Sequence, residues 1–222
     1  MKYFWLRLLY LYPDIRAIAG IKGIMEADPR LCRYIDIPFQ HVNDRVLKSM
    51  KRGYGKKEVM EALRLLRSIS GGMTIRSSFI AGYPGETEKE FEELLGFVSA
   101  GYVDLAGVFA YSDEPGTTAY GLKAKLGKKA VKEREKRLIL ASSQVYLYNN
   151  EKQAGAGKRA LITALKGRGV YLARTQESAP DVDGYITVRS KRALRPGEFR
   201  EIRITGLKNS ELEGEIIADR SA

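Results

Sequence analysis

The chain has 222 residues, 44% hydrophobic and 9% aromatic, a composition that suits one or two globular domains with a real core. Its 38 Lys and Arg against 27 Asp and Glu leave a formal charge of +11, which favours an anionic partner such as RNA or a ribosomal particle, unless the excess sits on solvated helix faces. The single cysteine, Cys32, excludes an internal disulfide framework and fits a reducing cytoplasm; the longest apolar run, residues 4–12, is broken by Arg7 and is too short to cross a bilayer, so no membrane partner is expected.

Four strand-then-helix units are predicted in the first two thirds, the pattern of parallel strands with helices outside. The first is a strand at 4–12 with a helix opened by Asp14, and no secretory cleavage site follows it. The second is a strand at 33–38, a short helix at 43–50 and a longer one at 56–69, whose Val59, Leu63, Leu66 and Ile69 share a face. The third is a strand at 73–81 and a helix at 88–100, opened by a Thr87 and Glu90 capping box and stopped by Gly101. The fourth is a strand at 105–111 and, after a Pro115-Gly116 loop, a basic helix at 128–153. Beyond Gly155 the pattern changes to short period-two runs at 159–165, 169–173, 184–188, 199–205 and 212–217, read as a small antiparallel barrel. The boundary is therefore placed between residues 154 and 155.

Alternation along the strands sorts their faces. Ile35, Ile37 and Phe39 are expected toward helices with Asp36, Pro38 and Gln40 opposite; on the next strand Ile75, Ser77, Phe79 and Ala81 oppose Thr74, Arg76, Ser78 and Ile80. Charges at Arg7, Asp36 and Arg76 on otherwise buried strands need partners. They either satisfy one another or line a polar lumen, in which Arg76 meets a carboxylate while Asp36 and Gln40 meet ammonium or hydroxyl groups. The turn Gly-Tyr-Pro-Gly-Glu at 82–86 offers backbone N–H groups to an anion, although it lacks the endings of a phosphate loop or dinucleotide fingerprint. His41 is the only histidine, so no triad or His-based metal cluster is expected, and no catalytic or metal-binding residue is assigned. Cys32 reads as a buried strand residue. The cations between 123 and 137 either contact RNA phosphates or pair with neighbouring glutamates.

Three segments, Tyr-Ile-Asp-Ile-Pro-Phe-Gln-His (34–41), Arg-Ser-Ser-Phe-Ile-Ala-Gly-Tyr-Pro-Gly-Glu (76–86) and Gly-Val-Phe-Ala-Tyr-Ser-Asp-Glu-Pro-Gly-Thr (107–117), resemble the radical S-adenosylmethionine (SAM) methylthiotransferases, and the Gln40-His41 form resembles their ribosomal-protein branch. Residues 179–185 and 197–206 are similar to the TRAM domain, an OB-like barrel. The resemblance implies an α/β fold: an open, partial TIM-like barrel over 1–154 that lacks the first two of the family's six strands, then a TRAM barrel over 155–222. It implies SAM bound at Asp36, Gln40, Arg76, Ser78, Ile80 and Tyr111, with Ile80 and Tyr111 at the adenine. It also implies two 4Fe-4S clusters, each held by three cysteines that this chain does not contain. The implied reaction is methylthiolation of an aspartate β-carbon in protein twelve of the small ribosomal subunit, in the cytoplasm. This chain would contribute cofactor-binding strands and target recognition, with an RNA contact, be inactive alone, and depend on a cysteine-rich N-terminal half. The alternatives are a fragment of a tRNA adenosine methylthiotransferase and a non-catalytic module that holds ribosome or RNA.

Overall fold

In a computed structural model, which describes residues 4–217, the chain forms two compact units, one running to Tyr146 and the other starting at Leu147. The first is built on four parallel strands, β1 (Leu6–Leu8), β2 (Leu31–Asp36), β3 (Thr74–Ala81) and β4 (Leu105–Ala110), hydrogen-bonded in that order and open at both edges. The expected first strand shrinks to three residues, with Phe4, Leu6 and Tyr10 exposed. It borders β2 alone, so little of its apolar surface finds cover.

The helices begin where short polar side chains take up free N–H groups. Asp14 accepts from Ala17 N at the start of α1 (Ile15–Ala27), and Asn43 from Arg45 N and Val46 N at α2 (Asp44–Ser49). Asp44 Oδ1 in turn accepts from Lys56 N at 2.7 Å, tying α2 to the start of α3 (Lys56–Arg67). At α4 (Glu88–Ser99) the Thr87 and Glu90 capping box forms as expected. On α3 the spacing of Val59, Ala62, Leu63 and Leu66 buries one stripe against the sheet, each large side chain worth about 1.5–3 kcal/mol. One core joins these residues to Ile35, Ile37, Phe39, Ile75 and Phe79 of the strand segments, to Phe91 and Leu94 of α4, and to Leu138 of α5 (Lys128–Glu151). The faces follow the alternation: on β3 every second residue, Ile75, Ser77, Phe79 and Ala81, is buried.

Five strands, β5 (Gly157–Gly167), β6 (Val170–Arg174), β7 (Ile186–Arg189), β8 (Phe199–Lys208) and β9 (Glu211–Ile216), close into a barrel in the order β5-β6-β7-β9-β8. Closure removes both sheet edges. Its core is Ala160, Ile162, Tyr171, Ala173, Ile186, Val188, Ile202, Ile204 and Leu212. The pairing is not wholly antiparallel: β7 and β9 run parallel, because β8 lies between them in the chain and on the far side of β9 in space. The β8–β9 hairpin turns on Asn209 and Ser210, whose φ angles of 51° and 67° match the twist of the flanking strands.

Candidate functional site

The carboxyl ends of parallel strands are where such sheets leave room for ligands. Here a cleft of about 740 Å³ opens beside the ends of β3 and β4 and the segment after β2, and Gln40, Ser78, Ile80 and Tyr111 all line it. Gln40 holds φ at 68°, a left-handed conformation uncommon outside glycine, and is fixed there by Gln40 N donating to Ser78 O at 2.8 Å and Ile80 N donating to Gln40 O at 2.9 Å. Tyr111 packs edge-on to Tyr83 at 5.7 Å, and its hydroxyl donates to Asp113 Oδ1 at 2.9 Å. Burial, with the Asp113 carboxylate beside it, pushes the Tyr111 phenol up to about 12.

Asp36 and Arg76 do not line the cleft. They are register partners on β2 and β3, and Arg76 Nη1 donates to Asp36 Oδ1 at 3.2 Å. Gly107 of β4 makes room for that guanidinium, since a Cβ there would stand 3.2 Å from Arg76 Nη2. The guanidinium of Arg7 lies 5.2 Å from the Tyr34 ring centroid. The charges on these strands are thus met by one another and by an aromatic face.

The 82–86 turn does not present its first N–H to an outside anion. Gly82 N donates to Glu86 Oε2 at 2.8 Å, so the anion is the chain's own. Gly82 has φ of 77°, and a Cβ would come within 2.8 Å of Val131, which explains the glycine twice over. Glu86 is a buried hub. Its Oε2 also accepts from Arg134 Nη1 at 2.7 Å, and its Oε1 lies 3.1 Å from His41 Nε2. Because His41 Nδ1 accepts from Asn43 N at 2.9 Å, the ring proton belongs on Nε2 and is donated to Glu86. The lone histidine therefore braces the turn behind the cleft; sequence spacing held no sign of this, with Arg134 48 residues from Glu86.

Many of the cations at 123–137 are committed to carboxylates. Arg134 and Arg137 pair with Glu88, Arg137 also with Glu92, Lys132 with Glu135, and Lys125 with Asp113. In the barrel unit Arg174 is buried and donates to the Ala179, Asp183 and Gly184 carbonyls. By contrast Arg168, Arg189, Lys191, Arg192 and Arg200 gather round a second cavity of about 610 Å³.

Residues 8–98 match the model of the radical SAM superfamily, and residues 144–217 match that of the TRAM domain. Over 214 residues, 96% of this chain, the sequence is 39% identical to the ribosomal protein uS12 methylthiotransferase RimO of Desulforudis audaxviator, covering 47% of that protein. The chain is similar to the radical SAM methylthiotransferases over nearly its whole length. The RimO proteins of Pelotomaculum thermopropionicum and Chlamydia caviae are 38% and 39% identical, each over 96% of this chain and 48% and 47% of their own lengths. The chain thus spans about half the length of the curated relatives it matches. Coproporphyrinogen III oxidase (HemN) from Escherichia coli, described as a radical SAM enzyme, matches in fold alone, with a TM-score of 0.52 at 16% identity over 64% of this chain and 32% of that one.

The radical SAM match implies SAM and 4Fe-4S clusters, and the chain fits them differently. The cleft, with polar atoms on Gln40 and Ser78 and apolar surface on Ile80 and Tyr111, suits a nucleoside with an amino-acid arm. A cluster does not fit this donor set: Cys32 is the sequence's only cysteine and is fully buried, and the described residues contain no group of three His, Cys, Asp or Glu side chains arranged for a metal.

Proposed function

We propose that this chain is the cofactor-binding and target-recognition part of an enzyme that methylthiolates an aspartate β-carbon in ribosomal protein uS12. The observation that carries the reading is 39% identity over 96% of the chain to a protein of that name, with a cleft of suitable chemistry at the strand ends. SAM held there would supply the radical chemistry that activates the target C–H bond. The chain's own residues bind and orient. Gln40 and Ser78 hydrogen-bond the ribose or amino-acid arm, and Ile80 and the uncharged ring of Tyr111 hold the adenine. The paired Asp36 and Arg76 steady β2 and β3 beneath them. Residues 1–154 form the cofactor part and residues 155–222 the TRAM part that meets the ribosomal target in the cytoplasm. With one thiol, the chain draws any cluster from thiolates outside these 222 residues and is inactive alone.

The test pairs this chain with the half of the Desulforudis relative that it does not match, followed by iron–sulfur reconstitution. The pair is expected to cleave SAM and to add a methylthio group to uS12, read by mass spectrometry, and the chain alone to do neither. Cleavage by the isolated chain overturns the dependence, and modification of tRNA instead of uS12 overturns the target. The cations round the barrel cavity favour one second reading, a module that holds ribosomal RNA without catalysis.

A further inference from the structure

Arg52 lies on the turn that leaves α2, and the fold holds that turn tightly. Arg52 N donates to Leu47 O at 2.9 Å, Lys51 before it has φ of 56°, and Gly53 N after it donates to the Tyr12 hydroxyl at 3.1 Å. A Cβ on Gly53 would stand 3.0 Å from that hydroxyl, so there is little slack. Arg52 and Lys51 both line the cleft, and Arg52 Nε is buried with no hydrogen-bond acceptor among the described residues. A guanidinium N–H shielded from water without an acceptor is costly unless a ligand completes it. Among the described residues no carboxylate is arranged to do so. Asp36 is taken by Arg76, and Glu114, the one described carboxylate on the cleft lining, accepts instead from Ser112 Oγ at 2.8 Å. Arg76, which the strand pattern suggested for a carboxylate, is thereby spoken for, while Arg52 is available.

We propose that Arg52, assisted by Lys51, binds a carboxylate in the cleft. This rests on the reading of the cleft as the SAM and target site. That chemistry has two sources there, the methionyl carboxylate of SAM and the side chain of the target aspartate, and each presents two oxygens to a guanidinium fork.

The experiment measures equilibrium binding to the chain paired with the relative's half, for the unsubstituted protein and for Arg52→Gln and Arg52→Lys. The probes are SAM, decarboxylated SAM, and two uS12 peptides carrying Asp or Asn at the modified position. The unsubstituted protein is expected to favour the carboxylate by about tenfold or more in one of the two comparisons, Arg52→Gln to lose that preference, and Arg52→Lys to keep part of it. Loss in the SAM comparison assigns Arg52 to the cofactor, and loss in the peptide comparison assigns it to the target. If SAM binds and Arg52→Gln leaves both preferences as they were, or neither existed, the inference fails and the cleft reading stands. If SAM does not bind the unsubstituted protein at all, the cleft reading fails and takes the inference with it. Binding of the non-carboxylate probes, equal across the three proteins, separates lost recognition from misfolding.

Discussion

At the scale of single residues the first unit is held by carboxylates that each serve several donors. Glu90 accepts from Arg45 through both oxygens while capping α4 at Thr87, and these bonds hold its carboxyl down at about 2, against 4.5 for an ordinary glutamate. A depressed folded value means the stabilisation is complete above 4.5 and is lost as pH falls through about 2. Arg45 is more than half exposed, so solvent screens much of this pair. Urea midpoints for Arg45→Met and the unsubstituted chain are expected to differ most above pH 4.5 and to converge as the pH is lowered toward 2. A gap that stays constant across that range would mean Arg45 acts through packing alone. The residue types at this site were readable in part. Thr87 and Glu90 announce a capping box by spacing, but the bond from Arg45 to Glu90 crosses 45 positions and depends on how α2 and α4 pack.

At the scale of elements, β1 and the cationic rim of the barrel matter most. β1 is three residues long, occupies the end of the sheet, and leaves Leu6 about half exposed at 54%. An uncovered apolar edge invites pairing with another chain. Leu6→Lys is expected to reduce concentration-dependent association, followed by sedimentation velocity, while the helical signal in circular dichroism is kept. In the barrel, Arg168 sits between β5 and β6, Arg189 ends β7, and Lys191 and Arg192 follow it. Replacing Arg168, Lys191 and Arg192 together by Ala is expected to flatten the dependence of single-stranded RNA affinity on salt by about two in the log–log slope, at roughly 0.7 per phosphate contact. An unchanged slope would place RNA elsewhere or nowhere. These cations were all visible in the sequence as dispersed residues. Arg189, Lys191 and Arg192 stand together in the sequence, but their meeting with Arg168 and Arg200 was not visible, because those lie on other segments and come alongside only when the barrel closes.

At the scale of the whole molecule, two separate cores support two units. Residues 147–222 carry a closed barrel with its own core, and expressed by themselves they are expected to give a dispersed amide spectrum and a cooperative thermal transition. Ile204→Ala within that piece is expected to cost about 2–5 kcal/mol, read by chemical denaturation. The amino-acid sequence alone determined the alternation of strands and helices, the Asp14 and Thr87–Glu90 caps, and the buried face of β3, all of which follow from local periodicity and cap chemistry. The set of Gln40, Ser78, Ile80 and Tyr111 came, together with Asp36 and Arg76, from the resemblance to the family. Only the tertiary structure decided that Arg76 answers Asp36, that His41 and Arg134 meet on Glu86, that Arg52 faces the cleft, and that β7 lies parallel to β9. Those are pairings between distant segments, set by register and packing, and no spacing within one segment encodes which partner a buried charge will find.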